Sequence, residues 1–236
     1  MVAGYLDSLG RLSSASFVNS SKLTEDGSYA LASGEERTNR LAALNCAHIR
    51  PLTEFVRSVR AHRGLSNEIP FFDPRDGGIN AGVLFLLEAP GPRAVGSGFI
   101  SRDNPDPSAR NFRALLATAG ISRESSALWN IVPWYIGTGT KIRAATASDI
   151  EAGAVYLAPL FALFPCLRAV VLVGRKAQRA RSRIEHLSSA SIFELHHPSN
   201  QVVTCWPERR KELENGLNEV AAFLLASEHA TKEQSA

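Results

Sequence analysis

Residues 83–92 read Val83-Leu84-Phe85-Leu86-Leu87-Glu88-Ala89-Pro90-Gly91-Pro92. Five apolar residues in a row, with no polar alternation, predict a strand covered on both faces. The carboxylate ends that run, and Pro-Gly-Pro must turn the chain out of the sheet. Ligands of parallel α/β sheets bind in the crevice beyond the carboxyl ends of the strands. Glu88 and the backbone N–H groups after it are therefore candidate site groups. A second stretch has the same form: Ser191-Ile192-Phe193-Glu194-Leu195-His196-His197-Pro198-Ser199-Asn200 is a strand that stops in a polar, proline-ended cluster.

Outward from these two stretches the chain alternates. Glu36 to His62 has a helical pattern, with Leu41, Leu44, Ile49, Leu52, Phe55, Val56 and Val59 as apolar positions. Pro51 either divides it into two helices or marks a first turn. Pro70 to Asn80 reads as a loop. Ala89 to Pro107 reads as one long irregular connection, and loops of that length are usually functional. Asp106-Pro107 is an N-cap followed by a proline at the first helical position; that helix should run to Ala119 and end at Gly120.

Ala127 to Val132 is a second strand, carrying Asn130. Tyr135 to Ala147 is another loop, with Gly137, Gly139 and Lys141. Ser148 and Glu151 have capping-box spacing for a helix reaching about Phe164. Leu167 to Val173 is a third strand, and Gly174 opens a basic helix to about His186. After the fourth strand, Ser191 to Leu195, an amphipathic helix spans Glu208 to Leu225, with Leu213, Leu217, Val220 and Leu224 on one face. Four apolar strands alternating with helices predict an α/β fold: a three-layer α/β/α sandwich around a four-stranded parallel sheet. The expected organisation is a loosely docked arm over 1–38, one domain over 39–226 and a polar tail over 227–236.

A chain of 236 residues that is 44% hydrophobic can build one sizeable core. Its formal net charge is only +3, but cations crowd the later part: Arg168, Arg175, Lys176, Arg179, Arg181 and Arg183, then Arg209, Arg210 and Lys211. Such clusters suit a polyanion, and equally a solvated helix face. Cys46, Cys166 and Cys205 form no CxxC pair, which argues against a disulfide framework or a zinc site. No basic segment with an apolar core begins the chain, and the longest apolar run, Ala154 to Leu167, falls short of the ~18 residues of a membrane helix. The expectation is a soluble, cytoplasmic monomer with no membrane association.

Glu88, Asn130 and His197 each fall just past or at the end of a strand, so a parallel sheet brings them to one edge. Carboxylate with imidazole suits hydrolysis. An amide reads the donor–acceptor edge of a heterocycle, and the aromatic Phe99 could stack on it. Singly, each has a plainer reading: Glu88 as a solvated strand end, Asn130 as a turn residue, Phe99 as core. His196, on the opposite face from His197, reads as structural. Trp134, Tyr135 and Trp206 read as packing residues or as a nucleic-acid surface.

Glu88-Ala89-Pro90-Gly91 resembles the first motif of the uracil-DNA glycosylase superfamily in the form of its iron–sulfur branch. His197-Pro198-Ser199 resembles the second motif. Phe99 and Asn130 stand where that family has its uracil-stacking aromatic and its uracil-reading amide. The resemblance spans Gly82 to Trp206. It implies a base-excision repair glycosylase that flips uracil out of DNA and hydrolyses its N-glycosidic bond, releasing free uracil and leaving an abasic site. Glu88 and His197 would be catalytic, and Ala89, Pro90, Gly91, Phe99 and Asn130 would bind uracil. Ser199, Asn200, Gln201, Arg175, Lys176 and Arg209 would contact DNA.

The iron–sulfur branch uses four cysteines and this chain has three, so neither cluster, metal nor other cofactor is expected. Ala89 and Gly91 stand where other branches carry a catalytic Asp and a thymine-excluding Tyr. The wedge segment, Asn200-Gln201-Val202-Val203, has no leucine. Two other functions compete: a catalytically weak protein of the same fold that binds damaged or abasic DNA, and an unrelated hydrolase using Ser199 with His197. The third lacks a G-x-S-x-G elbow, and two residues on one extended segment are poorly placed as nucleophile and base.

Overall fold

The computed structural model describes residues 29–138 and 141–233. Ser33 caps the first helix, α1 (Gly34–Ala42), by accepting from the Glu36 N–H. Helix α2 (Arg50–Arg63) carries Pro51 in its first turn and ends at Gly64, whose φ of +63° suits glycine. There follow β1 (Phe71–Phe72), β2 (Val83–Leu87), α3 (Pro92–Ser97), β3 (Phe99–Ile100), α4 (Pro107–Thr118) and β4 (Ser126–Asn130). A small hairpin pairs β5 (Gly137–Thr138) with β6 (Lys141–Ile142). The chain continues through α5 (Ala147–Ala154), α6 (Leu157–Phe161), β7 (Ala169–Val173), α7 (Arg175–Gln178), α8 (Arg181–Glu185), β8 (Ser191–Leu195) and α9 (Pro207–Glu233).

The central sheet is the expected four-stranded parallel one, in the order β4-β2-β7-β8. Leu87 lies opposite Asn130, and Val173 opposite Leu195, so all four strands deliver their carboxyl ends to one edge. Strands β2 and β7 are buried almost throughout, as unbroken apolar runs require. On α9, Leu213, Leu217, Val220 and Leu224 are all buried. At ~1.5–3 kcal/mol per large aliphatic side chain, that face contributes roughly 6–12 kcal/mol before chain entropy is set against it. Among the described residues, no helix is long and apolar enough to cross a membrane.

Six expectations need correction. The segment 89–107 is not an irregular loop: it contains α3 and β3, and β3 pairs in parallel with β1, Phe71 opposite Phe99. Helix α1 begins before residue 39 and is tied into the domain, whereas residues 1–28 of the expected arm lie outside the described residues. The capping box belongs to Thr146 and Asp149, not Ser148 and Glu151. The following helix divides at Val155–Tyr156, because Pro159 has no N–H for the carbonyl four residues earlier and its ring crowds it. The basic helix after Gly174 is two short helices, and α9 continues past residue 227 to Glu233.

Beneath α1 and the β3–α4 connection lies a buried ionic network. Arg40, only 2% exposed, donates to Asp73 and to Asp103 (2.6 Å). Arg123 joins the same two carboxylates at 2.8 Å, and Arg113 also donates to Asp103. Arg102 and Arg123 flank Asp76 at 3.5 and 3.1 Å. Neither Asp76 oxygen receives a directed hydrogen bond, and burial pushes its carboxyl up to about 6 against the pull of Arg102 and Arg123. This network fixes α1, the β1 turn and the Ser101–Asn104 segment to one another.

Candidate active site

A cavity of about 460 Å³ opens at the carboxyl edge of the sheet. Its wall runs from Leu87 through the Pro-Gly-Pro turn to Ala94, and its remaining sides come from Ile100 to Asn104, the start of α4, Asn130, Arg143 and the His197-Pro198 turn. Glu88, Asn130 and His197 thus meet around one space.

Asn130 is the last residue of β4 and is 3% exposed. Its Oδ1 is buried without a hydrogen-bond partner. Buried polar atoms are normally satisfied, and an orphan costs about 1–3 kcal/mol. Asn130 is also a cavity-lining residue, so an N–H donor seated beside it would satisfy this acceptor.

Glu88 lies one residue beyond β2. Its Oε1 accepts the Ala145 N–H at 2.6 Å, while its own backbone carbonyl accepts from the Val132 N–H at 2.9 Å. The carboxylate is thereby aimed by the segment between the β5–β6 hairpin and α5. Lys176 holds the next peptide group, on the other side of the Ala145 Cα, donating to the Ala145 carbonyl at 2.6 Å.

His197 follows β8. Burial lowers its pKa, and the nearby Asp106 carboxylate opposes that shift without reversing it, so the neutral imidazole is favoured. The ring stands hard against the β7–α7 turn. Gly174 there has φ +86° and ψ 156°, a region that only glycine occupies readily, and a Cβ at that position would come within 3.2 Å of the His197 Cβ. Ser199 does not reach towards the imidazole as a nucleophile would. Its Oγ accepts from the Val202 N–H and caps the π-turn Gln201–Cys205. His196 bonds Glu212 of α9 at 2.7 Å, which ties the strand exit to that helix.

The other expected residues are less united. Ala89, Pro90 and Gly91 line the cavity. Phe99 does not: it is wholly buried in β3, outside the lining, while Phe112 of α4 supplies an aromatic wall. Asn200, Gln201, Arg175 and Arg209 are exposed around the rim elements, with the Arg209 guanidinium 4.3 Å from the Trp206 ring. Lys176 is half-buried by its bond to Ala145. Trp134 is buried, with the Arg63 guanidinium 4.2 Å from its ring. Two lining residues carry chemistry that the sequence reading did not assign to them. Arg102 is buried, donates to Ser126 Oγ at 2.8 Å and leaves its Nε unpartnered. Asp106 caps α4 by accepting from the Ala109 N–H at 2.9 Å. The Asp-Pro pair signalled a cap, which concealed its second position on the cavity wall.

Among the described residues, no group of three or more His, Cys, Asp or Glu side chains could hold a metal ion. Cys46, Cys166 and Cys205 are free and exposed on three separate segments, and three thiolates do not make the four-cysteine ligand set of an iron–sulfur cluster.

No curated protein matches the chain. A solution NMR structure of a candidate uracil DNA glycosylase from Methanosarcina acetivorans is similar at 17% identity, over 59% of this chain and 91% of that one, with a TM-score of 0.41. The model of the uracil DNA glycosylase superfamily matches residues 74–221, which include every strand of the central sheet and all three of Glu88, Asn130 and His197. The chain belongs to the uracil DNA glycosylase superfamily.

Proposed function

We propose that the protein excises uracil from DNA by hydrolysing its N-glycosidic bond, without cutting the strand. The observation that carries this reading is the unpartnered Oδ1 of Asn130, a residue of the same cavity that holds His197 and Glu88. Uracil offers an N3–H donor beside its O4 acceptor. Asn130 would accept from N3–H through Oδ1 and donate to O4 through its amide nitrogen. Cytosine inverts that edge and would leave buried polar atoms facing like partners, which is how a hydrogen-bonding site rejects an analogue.

As the bond between C1′ and N1 breaks, its electron pair leaves with the base, and negative charge gathers at O2. A neutral His197 donating one N–H, with the backbone N–H groups of the Glu88–Gly91 turn, would stabilise that charge. Water forms the new bond to C1′ and loses a proton; Glu88 would orient that water and accept the proton. Phe112, rather than Phe99, is the aromatic side chain available to the flipped base. Ser199, Asn200 and Gln201 with Arg175 and Arg209 would meet the DNA backbone and make affinity salt-dependent. Lys176 would act chiefly by holding Ala145.

The test is base release from a labelled oligonucleotide carrying one uracil, single-stranded or opposite G or A, in EDTA, with alkali used to reveal abasic sites. Alkali-labile cleavage at uracil alone, nearly abolished in His197→Ala, is the expected result. No release from any uracil substrate, with salt-sensitive DNA binding intact, would refute the reading in favour of a damage-binding protein.

A further inference from the structure

Among the described residues few large apolar side chains are exposed, and Trp206 is the one aromatic among them, at 36% exposure. Its place follows from the run of α9. Gly216 packs against the Leu195 side chain, Glu212 bonds His196 at 2.7 Å, and the Leu224 carbonyl accepts from Arg168, just before β7, at 2.8 Å. The helix therefore runs back from the carboxyl edge of the sheet to the amino edge. Trp206 precedes Glu212 by roughly 9 Å of helical rise. It stands beyond the carboxyl edge, on the side where the cavity opens.

The turn that carries it is fixed. Ser199 accepts from the Val202 N–H at 3.3 Å through Oγ and from the Val203 N–H at 3.0 Å through its carbonyl. Thr204 donates to Asn200 Oδ1 at 3.2 Å, and the Arg210 N–H donates to the Trp206 carbonyl at 3.0 Å. These contacts take the preceding residues out of contention for inserting into DNA. Val202 is buried, Val203 packs on the core and the Asn200 side chain is engaged. The Arg209 guanidinium lies 4.3 Å from the Trp206 ring. An exposed aromatic ring with a cation beside it is a combination that suits a stacked base and its phosphate.

A base rotated out of a duplex leaves a gap, and the lost stacking is costly unless a side chain takes its place. We propose that Trp206 enters this gap, stacking on the bases that flanked the flipped nucleotide while Arg209 braces the ring. This role rests on the base-flipping reading above and adds to it a residue that acts on the DNA stack and not on the leaving base. It makes Trp206 a determinant of duplex over single-stranded substrate, because an unpaired base needs little extrusion.

The test compares the parent with Trp206→Ala and Trp206→Phe. The first measurement is binding to a duplex holding a tetrahydrofuran abasic analogue, where the gap exists without flipping or catalysis, and to the same duplex intact. Trp129 and Trp134 are buried, so quenching of tryptophan fluorescence reports Trp206. The expected result is deeper quenching by the gapped duplex than by the intact one. Affinity for the gapped duplex should fall about ten- to a hundredfold in Trp206→Ala and be largely restored in Trp206→Phe, with the fold intact by circular dichroism. The second measurement is single-turnover base release. Trp206→Ala should lose about as much on uracil in a duplex and stay within about twofold of the parent on uracil in a single strand. Gapped-duplex affinity within about twofold of the parent, or equal losses on the two uracil substrates, would overturn the proposal while leaving uracil excision standing. A parent protein silent on every uracil substrate would overturn uracil excision, and the gapped duplex would then decide the role of Trp206 by itself.

Discussion

Replacing Asp103 with Asn should cost about 3–5 kcal/mol of folding stability, the range for removing one partner of a buried ion pair. The estimate belongs at the upper end. The Asp103 carboxylate is fully buried and receives Arg40 at 2.6 Å, Arg123 at 2.8 Å and Arg113. An amide in its place carries no charge and turns two N–H hydrogens towards guanidinium donors. For a domain of this size, about 2–4 °C of melting temperature per kcal/mol gives a fall of roughly 6–20 °C. Urea unfolding at pH 7, followed by circular dichroism, measures the difference directly. The pH dependence is a second check. Burial pushes the Asp103 carboxyl up, but Arg123, Arg40 and Arg113 outweigh it and hold it below the ordinary aspartate range. A depressed carboxylate contributes stability that is complete above its unfolded pKa of ~3.9 and is lost as pH falls through the folded value. The gap between parent and variant should therefore be constant near neutrality and close below about pH 4. A difference under about 1 kcal/mol at pH 7, or one that widens in acid, would refute this account of the network.

Gly174→Ala should lower base release by roughly ten- to a hundredfold with little change in DNA affinity, because the new Cβ meets the His197 Cβ at 3.2 Å and displaces the ring; kinetics equal to the parent would show that the close approach is dispensable. Because burial lowers the His197 pKa below its ordinary 6.5, the rate should rise with pH through that lowered value and be level from about pH 6.5 upward; a limb centred above pH 7 would contradict a neutral imidazole. Arg209→Ala, removing the guanidinium stacked on Trp206, should weaken binding to DNA of any sequence and reduce the slope of log affinity against log salt by about 1. An unchanged slope would take Arg209 out of the DNA contact.

The sheet was legible because buried parallel strands leave a plain trace: Val83 to Leu87 and Ala169 to Val173 are apolar runs that no other element explains. The convergence of Glu88, Asn130 and His197 followed from strand ends alone. What stayed hidden depended on partners distant in sequence. Phe99 took its base-stacking assignment from the resemblance, although its plainer reading was core, and its pairing opposite Phe71 is what sends it inward. Arg40, Asp73, Asp103 and Arg123 carried no signal in the sequence, because nothing local shows that four segments bury them together. Asp106 was read correctly as a cap, but its place on the cavity wall was missed, since a local motif that explains a residue gives no sign of where the fold puts it.

The aim of the Glu88 carboxylate is entrusted to a main-chain amide. Ala145 gives its N–H to Glu88 and its C=O to Lys176, so an anion from one strand end and a cation from the helix after another grip the two peptide groups on either side of one Cα. The chemistry of the side chain at 145 is irrelevant to that grip; what counts is that it is small enough to stay buried and is not proline. Evolution can thus rewrite the preceding hairpin residue by residue without disturbing the site, but inserting or deleting even one residue there would re-aim the carboxylate. Grafting this hairpin between relatives should follow a rule of length, not of composition.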